Sequence, residues 1–189
     1  MAMLACSILP GVELRLLEPR HAQEIFAVVD RHREYLRQWL PWVDGSRTAA
    51  DTEAFIGQSL EQFTKGIAVA LGIWQNEAYV GGIGTHPMDL DAKKAEIGYW
   101  LAPEAQGQGI VTAACRRLMQ HLYEERDIRR IVIQCAVGNR KSRAVPERLG
   151  FTLEGILRRS GYVNGEHHDM ALYSLLREEW NQGSRSSAA

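Results

Sequence analysis

Val12-Glu13-Leu14-Arg15-Leu16 alternates apolar and charged side chains, the period-two pattern of a strand with one buried face. Glu18-Pro19-Arg20-His21 then opens a helix, with proline in its first turn, and Ile25, Phe26, Val28 and Val29 follow at helical spacing. Residues 36–43, which include Trp39, Pro41 and Trp42, predict an irregular connection. A second helix begins at Asp51-Thr52-Glu53, carries Phe55, Ile56, Leu60 and Phe63 on its apolar side and stops at Gly66. Strands are expected over 67–74, 79–85 and 95–101, the first two joined as a hairpin through Gln75-Asn76-Glu77.

A Gly-rich turn comes next, then a helix over 109–125 and a buried-type strand over 130–136 with Ile131, Val132 and Ile133 in succession. A short helix over 142–149 ends at Gly150, and two strands close the chain over 151–157 and 168–176. With no internal repeat and no dividing linker, the order β-α-α-β-β-β-α-β-α-β-β predicts one α/β domain with a mixed sheet. It would span residues 1–182, leaving a disordered Ser/Ala/Gly-rich tail over 183–189.

Composition narrows the function classes. A 189-residue chain with 46% hydrophobic and 24% charged residues suits a single soluble domain. A formal net charge of -1 argues against a general nucleic-acid binder, which needs a phosphate-neutralising excess. No apolar run reaches the roughly 20 residues of a membrane span, and the apolar start over 1–10 lacks a basic leader. Cys6, Cys115 and Cys135 are widely spaced with no C-x-x-C, which reads as reduced thiols in a cytoplasmic protein and gives no metal site. His167-His168-Asp169 is likewise too compact for a metal; a histidine–aspartate contact is the better reading.

The candidate chemistry lies after the strand that ends at Trp100-Leu101-Ala102. There Gln106-Gly107-Gln108-Gly109 leads straight into a helix. Glycines let the backbone approach an anion, and a helix start offers unpaired N–H groups with partial positive charge. A P-loop would need Gly-Lys-Ser/Thr, which is absent, and a dinucleotide fingerprint would need a small residue where Thr112 stands. Taken alone, the segment is either a phosphate cradle or a simple turn before a helix.

Gln106-x-Gln108-Gly109-x-Val111 resembles the Gln/Arg-x-x-Gly-x-Gly/Ala signature of the GNAT N-acetyltransferases, with Val111 departing at the last position. Residues 135–144 (Cys-Ala-Val-Gly-Asn-Arg-Lys-Ser-Arg-Ala) and Leu149-Gly150-Phe151 look like that family's later strand and helix. Glu154-Gly155 and the Tyr162-x-x-Gly165-x-x-His168-Asp169 segment extend the likeness. The details are most similar to the subfamily that acetylates the serine or alanine N-termini of ribosomal proteins, over about residues 12–180.

The resemblance implies a mixed, largely antiparallel sheet of about seven strands with about four flanking helices, its fourth and fifth strands splayed to admit the pantetheine arm. It implies acetyl-CoA as cosubstrate without a metal. Leu101 and Ala102 would pair with pantetheine through their backbone. Gln106, Gly107, Gln108, Gly109, Ile110, Val111 and Thr112 would bind the pyrophosphate, and Asn139 would reach the pantetheine or thioester. A primary amine, the N-terminus of a protein or a small amine, would attack the thioester directly; a non-catalytic acetyl-CoA-binding module is the reading from another class. No contact with nucleic acid or membrane is expected, and a homodimer is.

An α-amino group (pKa near ~8) or a lysine (~10.4) is mostly protonated at neutral pH, so a base is needed. Glu96, between apolar Ala95 and Ile97, is the candidate; otherwise it faces solvent or pairs with an arginine. The tyrosine that many relatives place upstream of Gly-Phe is missing from Val145-Pro146-Glu147-Arg148, and Ser142 stands where the ribosomal subfamily has a serine. Ser142 either donates to the departing sulfur or caps a helix beginning at Arg143. Gly161 occupies a position where some relatives have a glutamate base. Cys135 is read as a buried, inert thiol.

Trp39, Trp42, Tyr99, Tyr162 and His168 are candidates to line the acceptor cleft, the two tryptophans alternatively covering the core. Arg140-Lys141-Arg143 is either a phosphate contact or a solvated helix face.

Overall fold

The computed structural model describes residues 5–186. Eight strands and six α-helices follow one another in these residues. They are β1 (Ala5–Leu9), β2 (Val12–Leu16), α1 (Ala22–Arg31), α2 (Arg33–Leu36), α3 (Ala49–Thr64), β3 (Ala70–Gln75), β4 (Ala78–Thr85) and β5 (Lys94–Leu101). After these come α4 (Ile110–Glu124), β6 (Arg130–Ala136), α5 (Arg140–Arg148), β7 (Thr152–Val163), β8 (Glu166–Leu176) and α6 (Arg177–Ser186).

One sheet in the order β1-β2-β3-β4-β5-β6-β8-β7 forms the middle layer. Every adjacent pair is antiparallel except β5 and β6, whose parallel pairing requires a crossover, supplied by α4. β2 turns Val12 and Leu14 inward at 2% and 0% exposure, while Arg15 outside pairs with Glu13 and Glu77. Asn76 and Glu77, at φ 48° and 65°, form the two-residue turn of the β3–β4 hairpin, whose left-handed geometry suits the strand twist.

The sheet separates two cores. On one face α4 lays down Ile110, Ala114, Cys115, Leu118, Met119, Leu122 and Tyr123, one stripe at helical spacing, against Ala95, Ile97 and Ile131. On the other, α1 and α3 bury Ile25, Val29 and Ile56 against Trp74 and Tyr79, with Trp100 at the margin.

The structure corrects several expectations. β1 was not foreseen, because Ala-Cys-Ser-Ile-Leu has no alternation; it is held by pairing with β2. The irregular stretch after α1 contains α2 and a 3-10 turn over Val43–Gly45. α3 starts at Ala49 behind Thr48, whose side chain takes the Asp51 N–H while Asp51 takes the Thr48 N–H. Its buried stripe is Thr52, Ile56 and Ser59, and Phe55 falls beside it at 53% exposure. α5 begins at Arg140, capped by Asn139 rather than by Ser142. α6 runs from Arg177 to Ser186; 187–189, the end of the expected tail, lie outside the described residues.

Candidate active site

β5 and β6 pair only over Lys94–Glu96 against Arg130–Val132. Beyond Glu96, β5 stays with β4 and β6 stays with β8, so the two strands part and leave a wedge in the sheet. A cavity of about 970 Å³ fills the wedge and the space in front of α4. The splay expected of the fourth and fifth strands is thus present, between β5 and β6.

At the outer end of the cavity stand Gly107 and Gly109, both at φ 77°, with Gly109 as the N-cap of α4. No atom lies within 4 Å of where a Cβ would stand on either. Left-handed backbone, not lack of room, therefore calls for glycine here. Ile110, Val111 and Thr112 follow in the lining; the N–H groups of a first turn have no partner within their helix, which makes this end receptive to an anion.

Gln106 braces the entrance. Its Nε2 donates to the Leu101 carbonyl at 3.1 Å, and its Oε1 accepts from Lys141 Nζ at 3.0 Å and from the Tyr35 hydroxyl at 3.1 Å. Gln108 turns the other way, accepting from Gln75 at 2.8 Å, and does not line the cavity. Nor does Ala102, which is buried with its N–H donated to the Val80 carbonyl at 2.8 Å. Leu101 remains in the wall.

The opposite wall is the start of α5. Asn139 Oδ1 accepts the Ser142 N–H at 3.1 Å, which assigns the capping role to Asn139 and leaves the Ser142 hydroxyl free of it. Ser142 faces Tyr99, whose hydroxyl donates to the Ser142 carbonyl at 2.9 Å, with Ser142 Oγ 3.4 Å from Tyr99 Oη. Burial pushes the Tyr99 hydroxyl far above its ordinary pKa. Cys135 is 5% exposed, and burial raises its thiol to about 11 against a weaker opposing hydrogen bond from Ser142, so it is protonated at neutral pH.

Glu96 sits where the wedge begins, three residues before Tyr99 and so on the other face of the sheet. Its carboxylate accepts from Gln134 Nε2 at 3.0 Å and lies 4.0 Å from His86 Nε2. It is outside the cavity lining.

The five acceptor-side candidates divide. Trp39 and Tyr99 line the cavity. Trp42 is 42% exposed with its ring 5.9 Å from that of Trp100, and Tyr162 is 60% exposed against His167 on its own hairpin. His168 reaches the cavity only through Trp39, ring to ring at 6.3 Å. Asp169 takes the Arg159 N–H at 2.7 Å rather than a histidine. Among the basic residues, Arg140 and Lys141 line the cavity, whereas Arg143 is spent on the Tyr173 hydroxyl at 3.0 Å. Tyr35 and Arg148 belong to the lining and were not foreseen. Among the described residues no group of three or more His, Cys, Asp or Glu could hold a metal, and no helix is long and apolar enough to cross a membrane.

This wedge, with its glycine-bounded helix start, meets a family model described as an acetyltransferase (GNAT) domain, which matches residues 12–152. The chain belongs to the GNAT acetyltransferase family. A putative ribosomal N-acetyltransferase of Bacillus subtilis, YdaF, is 41% identical over 180 residues, covering 94% of this chain and 98% of that protein. Among solved structures, RimL, a ribosomal L7/L12 α-N-protein acetyltransferase in complex with coenzyme A disulfide-bonded to one of its cysteines, superimposes with TM-score 0.88 at 30% identity, covering 93% of this chain and 99% of that one. The microcin C7 self-immunity acetyltransferase MccE, in complex with acetyl-CoA and AMP, gives TM-score 0.86 at 30% identity over 92% and 96% of the two chains. This GNAT chain is accordingly an N-acetyltransferase.

Proposed function

We propose that this enzyme transfers the acetyl group of acetyl-CoA to the N-terminal α-amino group of a protein, ribosomal proteins being the favoured class, in the cytoplasm. The observation that carries the reading is the wedge itself. It joins an anion-receptive helix start to a narrow gap that opens at a carboxylate on one face and a hydroxyl pair on the other.

In this reading the pyrophosphate rests on the backbone from Gln106 to Thr112, apart from the outward Gln108 side chain. Lys141, and Arg148 beside Thr112 at 3.3 Å, add positive charge at the same end. The thioester lies in the gap near Ser142, and the amine enters from the face that bears Glu96. Glu96, held by Gln134, takes the ammonium proton directly or through a water, because only the free amine is a nucleophile. The nitrogen bonds to the acetyl carbon and gives up a second proton to solvent, the carbon–sulfur bond breaks and the electron pair leaves on sulfur. Ser142 donates a hydrogen bond to that sulfur, and solvent supplies its proton. Juxtaposition of the two substrates contributes most of the rate, as no covalent enzyme intermediate is involved.

The protein acceptor is favoured by YdaF and RimL. A small-molecule acceptor is the second reading, favoured by MccE with its AMP. Thiol release from acetyl-CoA, measured with a panel of N-terminal peptides and small amines, separates them. Turnover on peptides beginning with Ser or Ala is expected, and turnover on small amines alone would overturn the acceptor assignment. Glu96→Gln should depress kcat more at neutral pH than at high pH, where free amine is abundant; equal loss at both would remove Glu96 as the base.

A further inference from the structure

We infer that Tyr99 is a positioning residue for the acyl transfer: its hydroxyl bridges the wedge from β5 to α5 and fixes Ser142 against the departing sulfur. The inference rests on the proposed role of Ser142 and extends it to a residue on the opposite wall.

The geometry leaves Ser142 in need of such a partner. The strands on either side of the gap stop pairing at Glu96 and Val132, so no backbone ladder holds β5 to the α5 wall at the depth of Ser142. Tyr99, three residues further along β5, spans that gap with one strong bond, its hydroxyl to the Ser142 carbonyl at 2.9 Å. Its proton is thereby committed, and its lone pairs face Ser142 Oγ at 3.4 Å. Capping would otherwise hold the serine side chain, but Asn139 performs it. The Ser142 hydroxyl therefore has a fixed backbone and only weak acceptors for its proton, Tyr99 Oη at 3.4 Å and the Cys135 sulfur, the arrangement that lets it turn its O–H toward an anion forming in the gap.

Burial keeps the Tyr99 phenol neutral across the working pH range. A phenol so hard to ionise is a poor proton source for a thiolate, so its contribution passes through Ser142. The proton balance of the reaction is unchanged: the ammonium proton goes to Glu96, the second nitrogen proton goes to solvent as the amide forms, the thiolate is stabilised by Ser142 Oγ–H, and solvent protonates the sulfur.

The test is a double-mutant cycle on the full-length enzyme with Tyr99→Phe, Ser142→Ala and the pair. Acetyl-CoA turnover is measured with whichever amine the native enzyme accepts; no native turnover on any amine refutes the acetyltransfer reading itself rather than this one. One neutral hydrogen bond supports a loss of about five- to tenfold in kcat for Tyr99→Phe, with KM for acetyl-CoA within about twofold of native. Adding Tyr99→Phe to Ser142→Ala should cost nothing more. Both single losses should shrink together when acetyl-CoA is replaced by an acetyl thioester of a more acidic thiol, whose thiolate needs less help. Multiplicative losses, a loss confined to KM, or a loss indifferent to the leaving group would each overturn the inference. p-Aminophenylalanine at position 99 keeps the ring and a donor, and covers the case in which Tyr99→Phe does not fold; it should retain more than half of the native kcat, and a loss comparable to that of Ser142→Ala would overturn the inference.

Discussion

The same substitution should act with opposite sign at two glycines. Gly109 stands at φ 77° with nothing within 4 Å of its would-be Cβ, and Gly57 lies inside α3, also with nothing within 4 Å. Sterics with neighbours therefore drop out at both, leaving the backbone alone. Alanine at 109 is forced into left-handed space, at roughly 1–2 kcal/mol, partly offset by about 0.4–1 kcal/mol from a stiffer unfolded chain. A net loss near ~1 kcal/mol lowers Tm by about 2–4 °C in a chain of this size. At Gly57 the backbone is already helical, so Gly57→Ala should gain roughly 0.5–1 kcal/mol. Urea and thermal unfolding of the two variants, without cosubstrate, measure both. Gly109→Ala as stable as native, or Gly57→Ala less stable, would refute the claim that conformation rather than space fixes glycine before α4. Gly109→Asn, which tolerates left-handed backbone, should fall between native and Gly109→Ala.

Asn139→Ala removes the α5 cap and should cost about 1 kcal/mol in urea unfolding, whereas Ser142→Ala should leave stability within ~0.5 kcal/mol of native. Glu154 is pulled from near 4.5 to about 2, first by its bonds to Arg130 and then by Ser174. Because the folded value is depressed, its stabilisation is complete above pH 4.5 and fades as pH falls through about 2. The whole displacement corresponds to ~3 kcal/mol, reduced to about 1 kcal/mol because both partners are about one-third open to solvent. Glu154→Gln should therefore narrow its stability gap to native between pH 6 and pH 2.5; an unchanged gap would refute the linkage.

What the sequence disclosed follows from where its information is local. Val12–Leu16 alternates and residues 131–133 are a pure apolar run, so both strands were legible from pattern alone. β1 and the outer half of β7 were not. β7 is an edge strand, exposed at nearly every position, with a bulge between Leu157 and Gly161, so pairing with β8 rather than patterning forms it. At the site, Gly107 and Gly109 announced themselves through backbone chemistry, and Ser142 through the family resemblance. Tyr35 meets Gln106 across 71 positions of sequence, and no local signal marks it. Ser142 was recognised as a residue with two candidate roles, and the Asn139 contact takes away the capping one.

The parting of β5 from β6 gives this fold something an ordinary sheet avoids, a pair of strand edges facing inward. Along the gap each strand bonds to a neighbour on its outer side only, and backbone groups deprived of a strand must find water or another partner. A ligand with amide groups of its own, threaded through the gap, would act as an honorary strand and close the sheet. With such a ligand in place the sheet would be complete, and cosubstrate supply would then bear on how well the chain resists heat, beyond its part in turnover. Stabilisation of this kind grows with the logarithm of ligand concentration.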